Sequence, residues 1–316
     1  MGRIHSASIS ASGMAKVEKI YALDDGAAQL AAIHDAAVAR TAAEIINDPA
    51  IDVVVIASPT DTHAGYLSLC HAAEKHVFCE KPVVRTENEA DIIEKLFAGY
   101  DRHVTVGHVV RFMGEYQQMR EKVQSEALGS IGTARFGRCG SFPVGWNNWF
   151  GDFERSGGVI LDLSIHDLDT LAWTFGPVDR VYAMCTGGKE PGHEYALIIA
   201  RLKSGVIAHI EGSWAESKGL FYTYYEIAGS QGLVEFDDRT EPALMLYRKT
   251  ANEGANADRV MTPSNPAIVD PYAVEMRSYL AAVKNNKQPE VTLADGLYAA
   301  RLALAAMKSA KEDRPV

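Results

Sequence analysis

The sequence is short of several things, and each shortage removes a class of function. Cysteine is limited to Cys70, Cys79, Cys139 and Cys185, with no CxxC pair and no spacing that suits a metal. That argues against a disulfide scaffold or a zinc module, and such thiols are expected to be reduced in a cytoplasmic protein. Runs of lysine or arginine are missing and the net charge is -10. No basic patch is therefore on offer to duplex nucleic acid or to an anionic membrane surface. No apolar stretch reaches the roughly 18 residues that a membrane helix needs, and the first residues lack the apolar core of a signal peptide. Low-complexity tracts and internal repeats are absent too. What remains is 316 residues, 47% of them hydrophobic, a length and composition that suit a globular protein of two domains.

The first third alternates short apolar runs with helical stretches. "VEKIYAL" (17–23) reads as a strand, roughly 26–39 as a helix and "TAAEIIND" as a second short helix. "IDVVVIAS" (51–58) is the β-branched run of a parallel strand buried on both faces. A helix over 62–75, a strand at "HVFCE", a helix at "ENEADIIEKLFAGY" and a strand at "HVTVGHV" follow. This alternation predicts βαβ units and a doubly wound parallel sheet. After about Val110 extended runs joined by tight turns take over, from "VDRVYAMCT" to "ALMLYR", with "KSG" and "GSQG" as hairpin turns. They predict a large open, mainly antiparallel sheet with helices on one face. The expected division is a Rossmann-like domain over 1–110 and a substrate-binding and oligomerisation domain over 111–316.

Ligands of doubly wound sheets sit beyond the carboxyl ends of the strands. Asp24 stands at one such end, where a carboxylate can accept from both hydroxyls of an adenosine ribose and would repel the extra phosphate of NADP. "SPTDTH" (58–63) opens a helix, so its amides and hydroxyls can meet an anionic or polar group. "EKP" (80–82) ends the next strand. Each has an ordinary alternative: Asp24 as a helix cap, "SPTDTH" as N-cap chemistry, "EKP" as a solvated loop. A second cluster is "SGGVILDLSIHDLD" (156–169), where Asp162 and His166 are four apart and would project from one face of a helix. Oxidising a secondary alcohol requires that its hydroxyl proton leave with the hydride, and histidine titrates close to working pH. A nearby lysine would stabilise the developing oxyanion. His166 beside Asp167 also raises a metal site, but no second group at metal spacing accompanies it, so none is expected.

Four segments, "VVVIASPTDTH", "EKP", "GHVVRF" and "GGVILDLSIHDLD", together with the tail "LALAAMKSA", resemble the glucose–fructose oxidoreductase / inositol dehydrogenase (Gfo/Idh/MocA) family along nearly the whole chain. The resemblance implies a Rossmann domain joined to an α/β domain, and hydride transfer between NAD, or less readily NADP, and a sugar, inositol or related polyol. It implies Lys81 as the catalytic lysine, His166 as general acid/base and Asp162 as a substrate-orienting carboxylate. Thr60, His63 and Glu80 would line the cofactor cleft with Ser58 and Asp24, and Arg111 and Trp149 are positional candidates for substrate contact. Trp146, Asn147 and Asn148 beside Trp149 suit a sugar ring and suit ordinary packing equally.

One family feature is lacking. The G-x-G-x-x-G turn that cradles a pyrophosphate is represented by Gly2 alone, and the strand before it has no counterpart in "MGRIH". Two expectations follow. Either Met1 is internal and the protein is longer by about a dozen residues, or the chain binds dinucleotide weakly. A non-catalytic sugar- or nucleotide-binding regulator, or an inactive truncated homologue, is the alternative to a dehydrogenase, and metal-dependent hydrolysis at His166-Asp167 is a third reading. The partly apolar outer face of "HIEGSWA" and "TYYEIAG" predicts a homodimer or homotetramer.

Overall fold

Short β-branched runs and helical stretches alternate over the first hundred residues, and the computed structural model turns them into parallel strands and covering helices. In order they are α1 (Gly2–Ser12), β1 (Lys19–Ile20), α2 (Gly26–His34), β2 (Ala37–Val38) and α3 (Ala42–Ile46). Then come β3 (Val53–Ile56), α4 (His63–Ala72), β4 (His76–Glu80), α5 (Glu87–Leu96) and β5 (Val104–Gly107). The chain continues through α6 (Gly114–Gln124), β6 (Ile131–Gly140), α7 (Phe153–Ser156), α8 (Gly158–Asp162) and α9 (Ile165–Phe175). Strands β7 (Val178–Thr186), β8 (Tyr195–Leu202), β9 (Ile207–Ser213) and β10 (Phe221–Gly229) follow, with β11 (Gly232–Asp237), β12 (Leu244–Arg248) and β13 (Asp258–Met261). Helices α10 (Pro271–Lys284) and α11 (Leu293–Glu312) complete the order. The structure describes residues 1–186, 192–240, 243–248, 258–261 and 270–316.

Two units divide the chain: Met1–Phe112 with Val269–Leu297, and Met113–Ile268 with Tyr298–Val316. The contiguous division expected at 110/111 did not anticipate the return of 269–297 to the first unit. The reason lies in α10, whose Met276, Tyr279 and Leu280 cluster with Phe78 of β4 and with Ile9, Met14, Val53, Val55 and Val283. An amphipathic helix near the end of a sequence does not reveal which sheet it covers. Phe78 is fully buried, and burying one such side chain contributes about 1.5–3 kcal/mol.

In the first unit β3, β4 and β5 form one parallel sheet, while β1 and β2 form a separate two-stranded parallel ladder. The helix expected over 26–39 stops at His34, because Asp35 turns left-handed (φ 50°) and Ala37 and Val38 pair with Lys19 and Ile20. Alanine fits a helix and this short strand alike, so the periodicity could not separate them. β3 alternates half-buried and buried residues rather than being closed on both faces; β5 is buried throughout. Local signals set the helix starts: Thr41 accepts from the Glu44 N–H, and Thr86 and Glu89 form a reciprocal capping box.

The second unit is an eight-stranded sheet in the order β13-β12-β11-β10-β6-β9-β8-β7, antiparallel except where β6 and β9 run together. Burial alternates along β8, with Ala196, Ile198, Ala200 and Leu202 buried and Tyr195, Ile199 and Arg201 exposed. That is the pattern of a sheet closed on one face only.

Candidate active site

The tips of the parallel strands in the first unit hold most of the expected residues. Glu80 ends β4 opposite Gly107 of β5. Its carboxylate is buried, with Oε1 2.6 Å from His5 Nε2 and Oε2 accepting the Lys81 N–H at 3.2 Å. A Cβ at Gly107 would stand 3.2 Å from that same Oε2, so glycine is what lets the carboxylate lie against β5. Burial pushes the Glu80 carboxyl up, but the His5 hydrogen bond and charge, then Lys81 and His63, outweigh it and hold it below its ordinary value. Lys81 follows, half-buried, and its peptide bond to Pro82 is cis.

His63, in the first turn of α4, is buried with both ring nitrogens on carbonyl oxygens: Nδ1 lies 2.7 Å from Pro82 O and Nε2 2.9 Å from Ser58 O. Burial lowers its pKa, against the pull of the two carbonyls and of the Glu80 charge. Ser58 Oγ meets Thr62 Oγ1 at 2.6 Å, and Thr62 donates to Pro59 O at 2.7 Å. Thr60 is buried in a 3-10 turn over Thr60–Thr62. Asp24, exposed, accepts the Gly26 N–H at 3.0 Å, as a cap of α2 would. Gly2 begins α1, with nothing within 4 Å of where a Cβ would be. Arg111 is buried and pairs with Asp295 at 3.4 Å.

The second unit carries the other cluster. Gly157 and Gly158 are both left-handed (φ 76° and 68°), and a Cβ on Gly158 would stand 2.8 Å from Glu194 Oε2. That close approach lets buried Glu194 accept the Val159 N–H at 2.9 Å and cap α8. Burial raises the Glu194 pKa, with the Asp162 charge adding to it. Asp162 is the last residue of α8 and is buried; His166 is half-buried in the first turn of α9.

The single helix expected to carry Asp162 and His166 on one face is broken between them. The His166 N–H donates to Leu163 O at 3.3 Å, three residues back, and residues 163–164 lie outside both helices. Ser164 sits at the break, buried against β9, where a Cβ on Gly212 would be 2.2 Å from its Oγ. Directly after His166, Asp167 is fully buried and takes a two-pronged ion pair from Arg138 of β6: Nε to Oδ2 at 3.1 Å and Nη2 to Oδ1 at 3.0 Å. Arg138 Nη2 also donates to the Tyr116 hydroxyl at 3.0 Å. Burial raises the Asp167 pKa and Arg138 opposes that, while the same pair pushes the guanidinium upward; the paired fork is the geometry of an ionised couple. Asp167 is thus engaged by Arg138, which leaves the hydrolase reading of His166-Asp167 without its carboxylate.

Trp149 lies on Phe150, ring centroids 3.9 Å apart, within the 3-10 stretch Trp146–Gly151. Asn147 and Asn148 are exposed with φ of 50° and 49°, and Trp146 is 42% exposed. Three buried groups escaped the sequence reading: His5, the Arg138–Asp167 pair and Glu194. Each is defined by a contact 29 or more residues away, and no local spacing signals such a pair.

Residues 1–108 match the family model described as an oxidoreductase family with an NAD-binding Rossmann fold, and 116–235 match the GFO/IDH/MocA C-terminal domain. A myo-inositol 2-dehydrogenase of Thermotoga maritima is 30% identical over 291 residues, 86% of this chain and 81% of that one. An inositol 2-dehydrogenase of Rhizobium meliloti is 26% identical over 326 residues, 100% of this chain and 96% of that one. Among solved structures, a levoglucosan dehydrogenase complexed with NADH and levoglucosan superposes with a TM-score of 0.89 at 21% identity, covering 100% of this chain and 96% of that chain. It shares the fold. With both family domains matched in order on one chain, this protein is a member of the Gfo/Idh/MocA family of oxidoreductases.

Proposed function

We propose that the protein is an NAD-dependent dehydrogenase that oxidises a secondary alcohol of a cyclic polyol or sugar, an inositol being the leading substrate class. One observation carries the reading: a lysine stands at the carboxyl tip of β4 in the NAD-binding fold, its backbone N–H tied to a buried carboxylate. Lys81 would stabilise the alkoxide character of the reacting hydroxyl. His166 would take the hydroxyl proton as the carbon gives up its hydride, and Asp162 would orient the substrate. Trp149, with its ring backed by Phe150, is a candidate wall for the C–H face of a sugar.

The residues of the first unit fit a dinucleotide. α1 has no acidic residue in its first turn, begins with a glycine in open space and carries Arg3 beside it, a combination suited to a pyrophosphate. Exposed Asp24 is suited to ribose hydroxyls, which favours NAD over NADP. When bound, NAD supplies the hydride acceptor. The closed partnerships of Ser58, Thr62 and His63 support a shaping role at the cleft for these three.

The open face of the large sheet presents Met184, Tyr195, Ile199 and Ile207, each at least 36% exposed. An apolar face of this kind supports a homodimer or homotetramer. All four cysteines are free thiols, which supports a reducing, cytoplasmic setting; no helix among the described residues is long and apolar enough to cross a membrane.

The test is a panel of polyols and sugars, myo-inositol and levoglucosan included, incubated with NAD while absorbance at the NADH band is followed. A rate with at least one member, lost in Lys81→Met, is expected. Silence across the panel would favour the non-catalytic binding protein instead.

A further inference from the structure

The stem of a lysine is long and flexible, so the place of its ammonium depends on how firmly the backbone under it is held. At Lys81 that backbone is held from both flanks by buried imidazoles. Upstream, Glu80 is fixed through one oxygen to His5 Nε2 (2.6 Å) and through the other to the Lys81 N–H (3.2 Å). His5 cannot drift, being 1% exposed and packed on Phe78 with ring centroids 4.7 Å apart, with Tyr272 edge-on at 6.2 Å. Downstream, Pro82 has no N–H to offer, and its carbonyl lies 2.7 Å from His63 Nδ1. The other nitrogen of that ring faces Ser58 O at 2.9 Å, so one side chain sits between the turn after β3 and the turn after β4. A neutral ring donates to one of these carbonyls, an imidazolium to both.

We propose that His5 and His63 are positioning residues that clamp the Glu80–Lys81–Pro82 turn, His5 through the Glu80 carboxylate and His63 through the Pro82 carbonyl. The catalytic consequence rests on the role given to Lys81 above. The nitrogens that make the clamp are taken up within the protein: His63, expected in the cofactor cleft, has both on backbone oxygens, and the Nε2 of His5 is on Glu80, while its buried Nδ1 has no partner among the described residues. A misplacement of about 1 Å at a reacting group costs on the order of 10²-fold in rate, which is the scale expected when one clamp is released.

The substitutions separate the clamp from mere packing. His5→Phe keeps a ring on Phe78 and removes the donor, while His5→Gln offers an amide where Nε2 stood. His63→Asn keeps a donor at the Nδ1 position, toward Pro82, whereas His63→Gln keeps one at the Nε2 position, toward Ser58. The first readout is amide hydrogen exchange at Lys81 in the cofactor-free protein. The second is kcat against KM with myo-inositol, or with whichever member of the panel turns over fastest.

Faster Lys81 exchange in His5→Phe, reversed in His5→Gln, is expected. So is a kcat about 10²-fold lower in His5→Phe and in His63→Gln, with His63→Asn nearer the wild type and KM for NAD little changed. Unaltered exchange in His5→Phe, or a His63→Gln enzyme as fast as His63→Asn, would overturn the clamp. The two readings fail apart. A Lys81→Met protein at full speed removes Lys81 from the chemistry while the exchange data still support the clamp. An inactive Lys81→Met protein with unaltered exchange in His5→Phe removes the clamp alone.

Discussion

Gly107→Ala tests how firmly Glu80 is held. The added methyl would stand 3.2 Å from Glu80 Oε2, 3.3 Å from Cδ and 3.4 Å from Oε1, close enough that the carboxylate must yield by a few tenths of an ångström. A free carboxylate would simply rotate away, and the protein would gain about 0.4–1 kcal/mol from the stiffer unfolded chain. Here Oε1 is on His5 and Oε2 on the Lys81 N–H, so yielding stretches one bond or the other. Overpacking of this kind costs about 1–3 kcal/mol. Offsetting the gain against it leaves a destabilisation of between about 0 and about 2.6 kcal/mol. Urea denaturation followed by fluorescence reads that difference, and kcat should fall with it because the strain is passed to the Lys81 turn. In a Glu80→Ala background the penalty should vanish, since the crowded atoms are gone. A Gly107→Ala protein more stable than the wild type, with unchanged kcat, would refute the reasoning.

Three further outcomes are expected. Asp167→Asn leaves the buried Arg138 guanidinium without its counter-charge and should cost about 3–5 kcal/mol in chemical denaturation; a loss below about 1 kcal/mol would mean the pair is not what anchors α9 to β6. His63, whose pKa burial holds below the ordinary value near 6.5, favours the neutral folded state. Its contribution is full above pH about 6.5 and is lost as pH falls through the lowered folded value, because the unfolded chain takes the proton first. His63→Gln should therefore flatten the fall in stability on that acid side, and an unchanged slope between pH 6.5 and 5 would count against it. Ile199→Lys on the open sheet face should shift the protein toward the monomer in analytical ultracentrifugation; an unaltered distribution would place the interface elsewhere.

Much of the fold was legible because the sequence carries one period at a time. "HVFCE" and "HVTVGHV" are parallel strands, and the alternation in "YALIIARL" separates a buried from an exposed face as it should. Where one residue type serves two structures the reading failed, as at Ala37–Val38, which left the expected helix for a strand. The break between Asp162 and His166 was hidden for a different reason. It arises where Ser164 meets Gly212, 48 positions away, and a helical wheel shows only neighbours three and four apart. The strand-tip residues Glu80 and Lys81 were visible as a charged pair after an apolar run. What holds them, His5 lying 75 positions upstream of Glu80 in a helix of mostly small residues, was visible only once the chain had folded.

The central claim is that the ammonium on the β4 tip takes part in removing hydride from an alcohol. Initial rates of NADH formation with the best substrate of the panel, measured for the wild type and for Lys81→Met alongside calorimetric titration with NAD, test it most directly. Turnover is expected to fall by about 10²–10³-fold while NAD affinity stays within a few-fold. Turnover by Lys81→Met at the wild-type rate would contradict it.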